Sequence, residues 1–344
     1  MKSMPKVTLN QLRERAERVE QRRREYRERA VAGTLVRHET WRLDYLSRPY
    51  LLGAPDERVA ERFRNVFVNA MELSPKGQLT PVPMTRTDEY MQVFTHLLED
   101  YSDRAAGGPP NEVVAAARAP LFRYFENGES SGVKMFEGYV APSTPIIVKY
   151  GKRQFLEPML ATGDLRLANA GLYNDVAHSD AVRDDETSRT FFIPTWRERL
   201  DGRTGMDFQG HRIEFENDDI VLPLVFQDYF LFSLCEHIHY RMPTDFDADA
   251  AIVIRDPTRF KQRLISTFLG RLPDWEPLEG PVIYYDPYRD YSKFTVPEMA
   301  KHFGYGYQRE VRVAFRPSVR PRTPLEPLFL SIGPMTDYAD LVTI

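Results

Sequence analysis

The run QREVRVAF, residues 308–315, sets Glu310 and Arg312 in alternation with Val311, Val313 and Phe315. That period of two predicts a strand with its glutamate on the face opposite the aliphatic core. A carboxylate held there is free to serve a site rather than the core. A second group follows Ile146, Ile147 and Val148, where a short β-favouring run ends on Lys149, Tyr150 and Gly151. A cation, a phenol ring and a flexible turn at a strand end can hold a diphosphate and stack on a flat heterocycle. A third group, Tyr173, Asn174 and Asp175, closes the next strand. Ligand binding and a plain Asx turn both fit those three residues. Between the second and third groups Phe155, Leu156, Met159 and Leu160 recur at helical spacing and Gly163 stops the run. Strand, helix, strand and polar turn within about thirty residues form one supersecondary unit whose two polar ends converge on one pocket.

Metal chemistry is the rival. His237 and His239 are spaced as on a strand, with Glu236 before them and Asp245, Asp247 and Asp249 after, and His178 with Asp180 repeats the theme. Such ligands suit a metal-dependent nuclease or phosphodiesterase, although no HExxH or spaced His-Asp signature is complete. Tyr284, Tyr285, Asp286, Pro287 and Tyr288 suit base stacking or, equally, core plus turn. The acidic run Asp184, Asp185 and Glu186 with Arg183 reads as a solvated loop.

The elements that must position these groups fall into two halves. Thr8 with Gln11 makes a capping box ahead of an amphipathic helix to about Gly33, in which Gln11 to Arg29 carries eight arginines against five glutamates. Its interleaved signs suit a solvated face before a partner or nucleic-acid arm, and its narrow apolar stripe suits self-association or packing on the same chain. Helical periodicity returns over 55–73, 87–101 and 111–125. After a glycine and serine linker at 127–132, strand-like runs dominate: 146–150, 221–235, 250–254, 282–285, 311–315 and 328–332. Asp256 before Pro257 caps a helix to about Phe268. The expected organisation is a helical region over 1–140 and an α+β domain over 141–344. A length of 344 residues with 42% apolar content supports two cores. A net charge of −4 excludes the whole molecule as an electrostatic trap for nucleic acid. The single cysteine, Cys235, excludes an intrachain disulfide, and no run approaches the roughly 18 apolar residues of a membrane span. The expected location is the cytoplasm, with no membrane partner.

The series VKYGKRQFLEPMLATGDLRLANAGLYND, FLFSLCEH with DFDADAAIVI, VIYYDPY and KHFGYGYQREVRVAF resembles a bacterial domain of unknown function related to the ADP-ribosyltransferase superfamily, over about residues 145–340. The resemblance implies a split β-sandwich with NAD as substrate in its cleft. It places the first-strand residue at Lys149 or Tyr150, the middle-strand residue at Ser233 or Cys235 and the late glutamate at Glu310. Two departures accompany it: lysine stands where arginine or histidine is usual, and SLC stands where the serine-ended triplet is expected. The implied activity is ADP-ribosyl transfer to a macromolecular acceptor, or NAD hydrolysis, in the manner of a bacterial toxin or phage-defence effector. The alternatives are the metal-dependent nuclease and a non-enzymatic interaction module.

Overall fold

The computed structural model describes residues 7–104, 108–126, 128, 130–174, 185–208, 210–214, 219–291 and 296–344. The fold is α+β, and its contacts divide it into two units that interleave in sequence. One comprises 1–70, 81–120 and 190–222; the other comprises 71–80, 121–189 and 223–344. The single boundary expected near residue 140 is therefore replaced by several crossings. Residues 121–140 belong with the sheet, and 190–222 with the helices.

In the helical unit, α1 (Leu9–Val31), α2 (Arg37–Ser47), α3 (Asp56–Asn69) and α4 (Asp88–Arg104) are followed by α5 (Asn111–Phe122), which runs to the unit boundary. The α1 capping box forms as expected, with the Gln11 N–H donating to Thr8 Oγ1 at 3.3 Å and the Thr8 N–H donating to Gln11 Oε1 at 3.0 Å. Leu12 and Val19 are buried with Leu46 and Leu52, while Ala16 and Tyr26 flank them. The arginines of α1 are largely paired within the chain. Arg18 Nε donates to Asp103 at 3.0 Å, Arg22 pairs with Glu99, and Arg29 pairs with Glu39 at 2.6 Å. Buried acids on α4, Glu99 and Asp103, thus hold the helix that composition alone marks as a basic arm.

The second unit is built on an eight-stranded antiparallel sheet: β1 (Ile147–Gly151), β2 (Asp164–Asn169), β3 (Phe230–Cys235), β4 (Ala250–Ile254), β5 (Trp275–Pro281), β6 (Glu310–Pro317), β7 (Leu328–Ser331) and β8 (Ala339–Thr343). Its main path runs β5-β6-β3-β1-β4-β8, and β2 joins β3 to β7. The sheet forks at β3. Along one side β3 pairs with β6 from Phe230↔Phe315 to Cys235↔Glu310. On the other side its beginning pairs with β2, through Phe230↔Asn169 and Leu231↔Ala168, whereas its end pairs with β1 through Val148↔Cys235. Phe232 to Leu234 therefore face the gap where the two branches part.

Alternation decides what each face of the sheet does. Phe230, Phe232 and Leu234 of β3 and Val313 and Phe315 of β6 enter a core with Phe260, Leu264 and Phe268 of the helix α7 (Pro257–Arg271). Phe268 and Phe315 stack there with ring centroids 3.6 Å apart. Asp256 caps this helix by accepting from the Arg259 N–H at 3.0 Å. Between β1 and β2, α6 (Arg153–Thr162) ends at Gly163, whose φ of +79° only glycine adopts without strain. A Cβ at Gly163 would lie 2.2 Å from the Gly333 carbonyl oxygen, so the backbone approach also demands glycine.

Candidate active site

Glu310 and Arg312 leave β6 on the face opposite Val313 and Phe315, as the alternation predicts. The β3 register sets Glu310 across from Cys235 and Arg312 across from Ser233, so two strands deliver four polar side chains to one place. Glu310 is not a surface ion-pair member. It is 5% exposed, and its carboxylate is enclosed by donors. Ser233 Oγ donates to its Oε1 at 2.5 Å, Arg312 Nε donates to the same oxygen at 2.5 Å, and Lys301 Nζ donates to Oε2 at 3.0 Å. Burial pushes this carboxyl up, but Arg312 and then Lys301 overcome it and hold it well below the usual carboxylate range. The site thus keeps a buried, ionised glutamate. The Glu310 N–H donates to the Tyr284 hydroxyl at 2.8 Å, fixing the start of the strand.

A second glutamate lies beneath the first. Glu186, 1% exposed, accepts from Arg312 on both oxygens, at 2.8 Å through Nη1, from Arg189 Nη2 at 2.8 Å and from the Tyr229 hydroxyl at 3.1 Å. Arg189 is anchored in turn on the Ala300 carbonyl at 2.7 Å. The acidic run around Glu186 reads locally as a solvated loop, and nothing in its neighbours signals that tertiary arginines wait for it. Asp184 and Arg183 of that run, like Asp175, His178 and Asp180, fall outside the described residues.

The fork explains Lys149. With no strand beside Ser233 on that side, its carbonyl needs a donor, and Lys149 Nζ supplies one at 2.9 Å while lying 4.6 Å from the Phe232 ring centroid. Among the described residues no carboxylate pairs with this amine, and burial lowers its pKa. Lys149 is the half-buried amine of the site.

These groups line a cavity of about 230 Å³. Its walls include six residues singled out from the sequence, Lys149, Tyr150, Tyr173, Ser233, Cys235 and Glu310, together with Glu186, which the sequence places in a solvated loop, Lys301, which it offers only as an ion-pair partner of Glu310, and Gln308 and Phe246. Gly151 and Asn174 are not in its lining, and Asn174 is exposed. Tyr150 is a fixed wall. Its hydroxyl accepts from the His239 N–H at 2.7 Å, and its ring meets Phe136 edge-on. Burial, then Glu310 and Glu186, push the Tyr173 phenol up, so it stays protonated. Cys235 is 4% exposed, and burial pushes its thiol up to about 12, which leaves it neutral and unreactive.

Among the described residues the histidine cluster does not assemble a metal site. The His237 and His239 rings lie 3.9 Å apart, but the acids expected to join them serve elsewhere. Asp245 accepts from Tyr124 at 2.6 Å and from Arg123, Asp247 pairs with Lys152 at 2.8 Å, and Asp249 accepts from the Arg153 N–H at 2.6 Å. Among the described residues no group of three or more His, Cys, Asp or Glu is placed to hold a metal ion.

No family model, curated protein or solved structure matches the chain.

Proposed function

We propose that the chain cleaves the bond between nicotinamide and ribose in NAD, transferring ADP-ribose to a macromolecule or to water, as a bacterial toxin or phage-defence effector does. The observation that carries this reading is the buried Glu310 carboxylate, ionised and hydrogen-bonded by Ser233 at the wall of a small cavity. As the glycosidic bond breaks, its electron pair leaves with nicotinamide and positive charge develops on the ribose. A carboxylate already ionised and already oriented stabilises that charge without reorganising. Ser233 shares the carboxylate with Arg312, and Cys235, neutral and across from Glu310, shapes the wall.

Charge and size support the same substrate. Lys149 and Lys301 line the cavity beside Glu186 and Glu310, and Lys149, which pairs with no carboxylate among the described residues, is left to meet an anionic ligand. Lys149 is the cation that engages the diphosphate. The cavity's volume of about 230 Å³ lies below the roughly 300 Å³ at which small-molecule pockets begin, so it takes the nicotinamide-ribose end and leaves the adenylate end outside. The forked antiparallel sheet, with Lys149 on one branch, Ser233 at the fork and Glu310 beside it, supports this reading by bringing the three residues to one cavity.

Incubation with adenylate-labelled NAD and a bacterial lysate tests the proposal. Label on a protein or nucleic acid marks a transferase, and free ADP-ribose marks a glycohydrolase. EDTA should leave either activity intact. Nucleic-acid cleavage that EDTA stops and manganese or zinc restores would replace this reading with the metal-dependent one.

A further inference from the structure

Two buried glutamates meet one arginine in this site, and their hydrogen bonds divide the labour between them. A carboxylate offers about four acceptor positions. Glu186 accepts four hydrogen bonds from the protein, from Arg312 Nη1 and Nη2, Arg189 and Tyr229, three of them on one oxygen. Glu310 takes Ser233 and Arg312 on Oε1 but only Lys301 on Oε2, which leaves an acceptor position for a ligand. Arg312 is fully buried, and its remaining Nη1 bond goes to the Glu298 carbonyl at 2.9 Å. Its guanidinium plane is therefore fixed by three anchors before it touches Glu310.

We propose that Arg312 is the positioning residue of this site, aiming the Glu310 carboxylate into the cavity, and that Glu186 is the anchor which holds Arg312 for that task. Lysine would not substitute, because only the guanidinium fork reaches both carboxylates at once. The other charged or titratable groups that face Glu310 are Lys301 and Tyr284 from the 284–302 segment, Cys235 from β3, Lys149 from β1 and Tyr173 from the turn after β2. Those facing Arg312 are Glu186, Glu310, Tyr229, Tyr173 and Tyr284, with Arg189 on the far side of Glu186. Of these, Arg312 is the foremost influence keeping Glu310 charged against its burial.

The inference rests on the NAD reading for its kinetic arm alone. In that arm Glu186→Gln, which keeps the shape and loosens the anchor, should lower kcat for nicotinamide release about tenfold and leave KM for NAD within about twofold. Arg312→Lys should lower kcat by about a hundredfold with the acidic limb of the pH profile little moved. Arg312→Met should move that limb to higher pH. A loss in Arg312→Met by one factor at every pH would mark a merely structural role and overturn the proposal, as would wild-type kcat in Glu186→Gln and Arg312→Lys. The second arm needs no substrate: a carbon-13 titration of the glutamate carboxyls, with Glu310→Gln to assign the resonance. Glu310 should stay ionised through pH 4 in the wild type and titrate at higher pH in Arg312→Met. If Arg312→Met does not fold, the same titration is read in Glu186→Gln, where freed Arg312 turns wholly to Glu310 and its midpoint should not rise. A raised midpoint there, or an unmoved one in Arg312→Met, overturns the proposal. A shifted Glu310 titration in a protein that releases no nicotinamide would retain the positioning role and remove the NAD reading.

Discussion

Glu310 shows how far one residue can be read before its surroundings are known. Strand alternation alone puts it off the aliphatic face, and it stands there. Its burial and its three donors come from Ser233, Lys301 and Arg312, of which only Arg312 is its near neighbour in sequence. Glu186 was illegible for the same reason: a run of acids looks solvated until distant arginines enclose it. Ser233→Ala removes one charge-assisted hydrogen bond worth about 1.5–3 kcal/mol, so nicotinamide release should fall roughly tenfold to a hundredfold without loss of fold, as a steady-state assay and circular dichroism would register. Cys235 makes the opposite prediction. Because burial holds it as a thiol, an aromatic disulfide reagent at pH 8 should label it only after unfolding. Rapid labelling of native protein would place it on an open surface.

The elements that were legible are those with strong periodicity or punctuation. The Thr8 cap, the Asp256 cap, the Gly163 stop and the strands at 147–151, 250–254 and 310–317 follow from local chemistry. Others did not announce themselves. The edge strand Trp275–Pro281 contains two prolines and a glycine, tolerable only because its outer side needs no ladder bonds, and Ala339–Thr343 is too mixed in composition to signal a strand. The run 221–235 reads as one strand but divides into Ile220–Val225 and Phe230–Cys235 at a turn carrying Asp228, which accepts from the Gly171 N–H at 3.0 Å. The fork was not legible, since pairing order is not a local property. Gly163→Ala tests one local device. With φ at +79° and a carbonyl in the path of the new methyl, it should cost at least about 1–2 kcal/mol in a urea titration. A change within error would mean that the α6 terminus can rearrange.

At the scale of the whole molecule, buried charge sets the response to acid and explains the amino-terminal helix. Glu186 and Glu310 are both depressed, Arg312 outweighing burial in each case, so the stability they contribute is present above about pH 4.3 and drains away as pH falls below it. His239 is held neutral by burial beside His237, Arg309 and Arg241. Its folded pKa lies below the unfolded value of about 6.5, so its share is full above that pH and is lost as pH falls. Thermal melts should therefore decline in two stages, gently below about pH 6.5 and steeply below about pH 4.3; absence of the first stage would contradict the His239 assignment, and absence of the second down to about pH 2 would contradict that of Glu186 and Glu310. Arg22 on α1 matters because Glu99 beneath it is buried and pushed up by burial. Arg22→Ala should cost about 1–3 kcal/mol in urea, below the full penalty for a buried pair because Arg22 is partly exposed. The helix is thereby tied to its own chain. The measurement closest to the central claim is the rate at which purified full-length protein releases nicotinamide from NAD, compared with Glu310→Gln. The structure leads us to expect release by the wild type and a drop of about a hundredfold or more in the variant; no release by the wild type, or equal rates in the two, would contradict it.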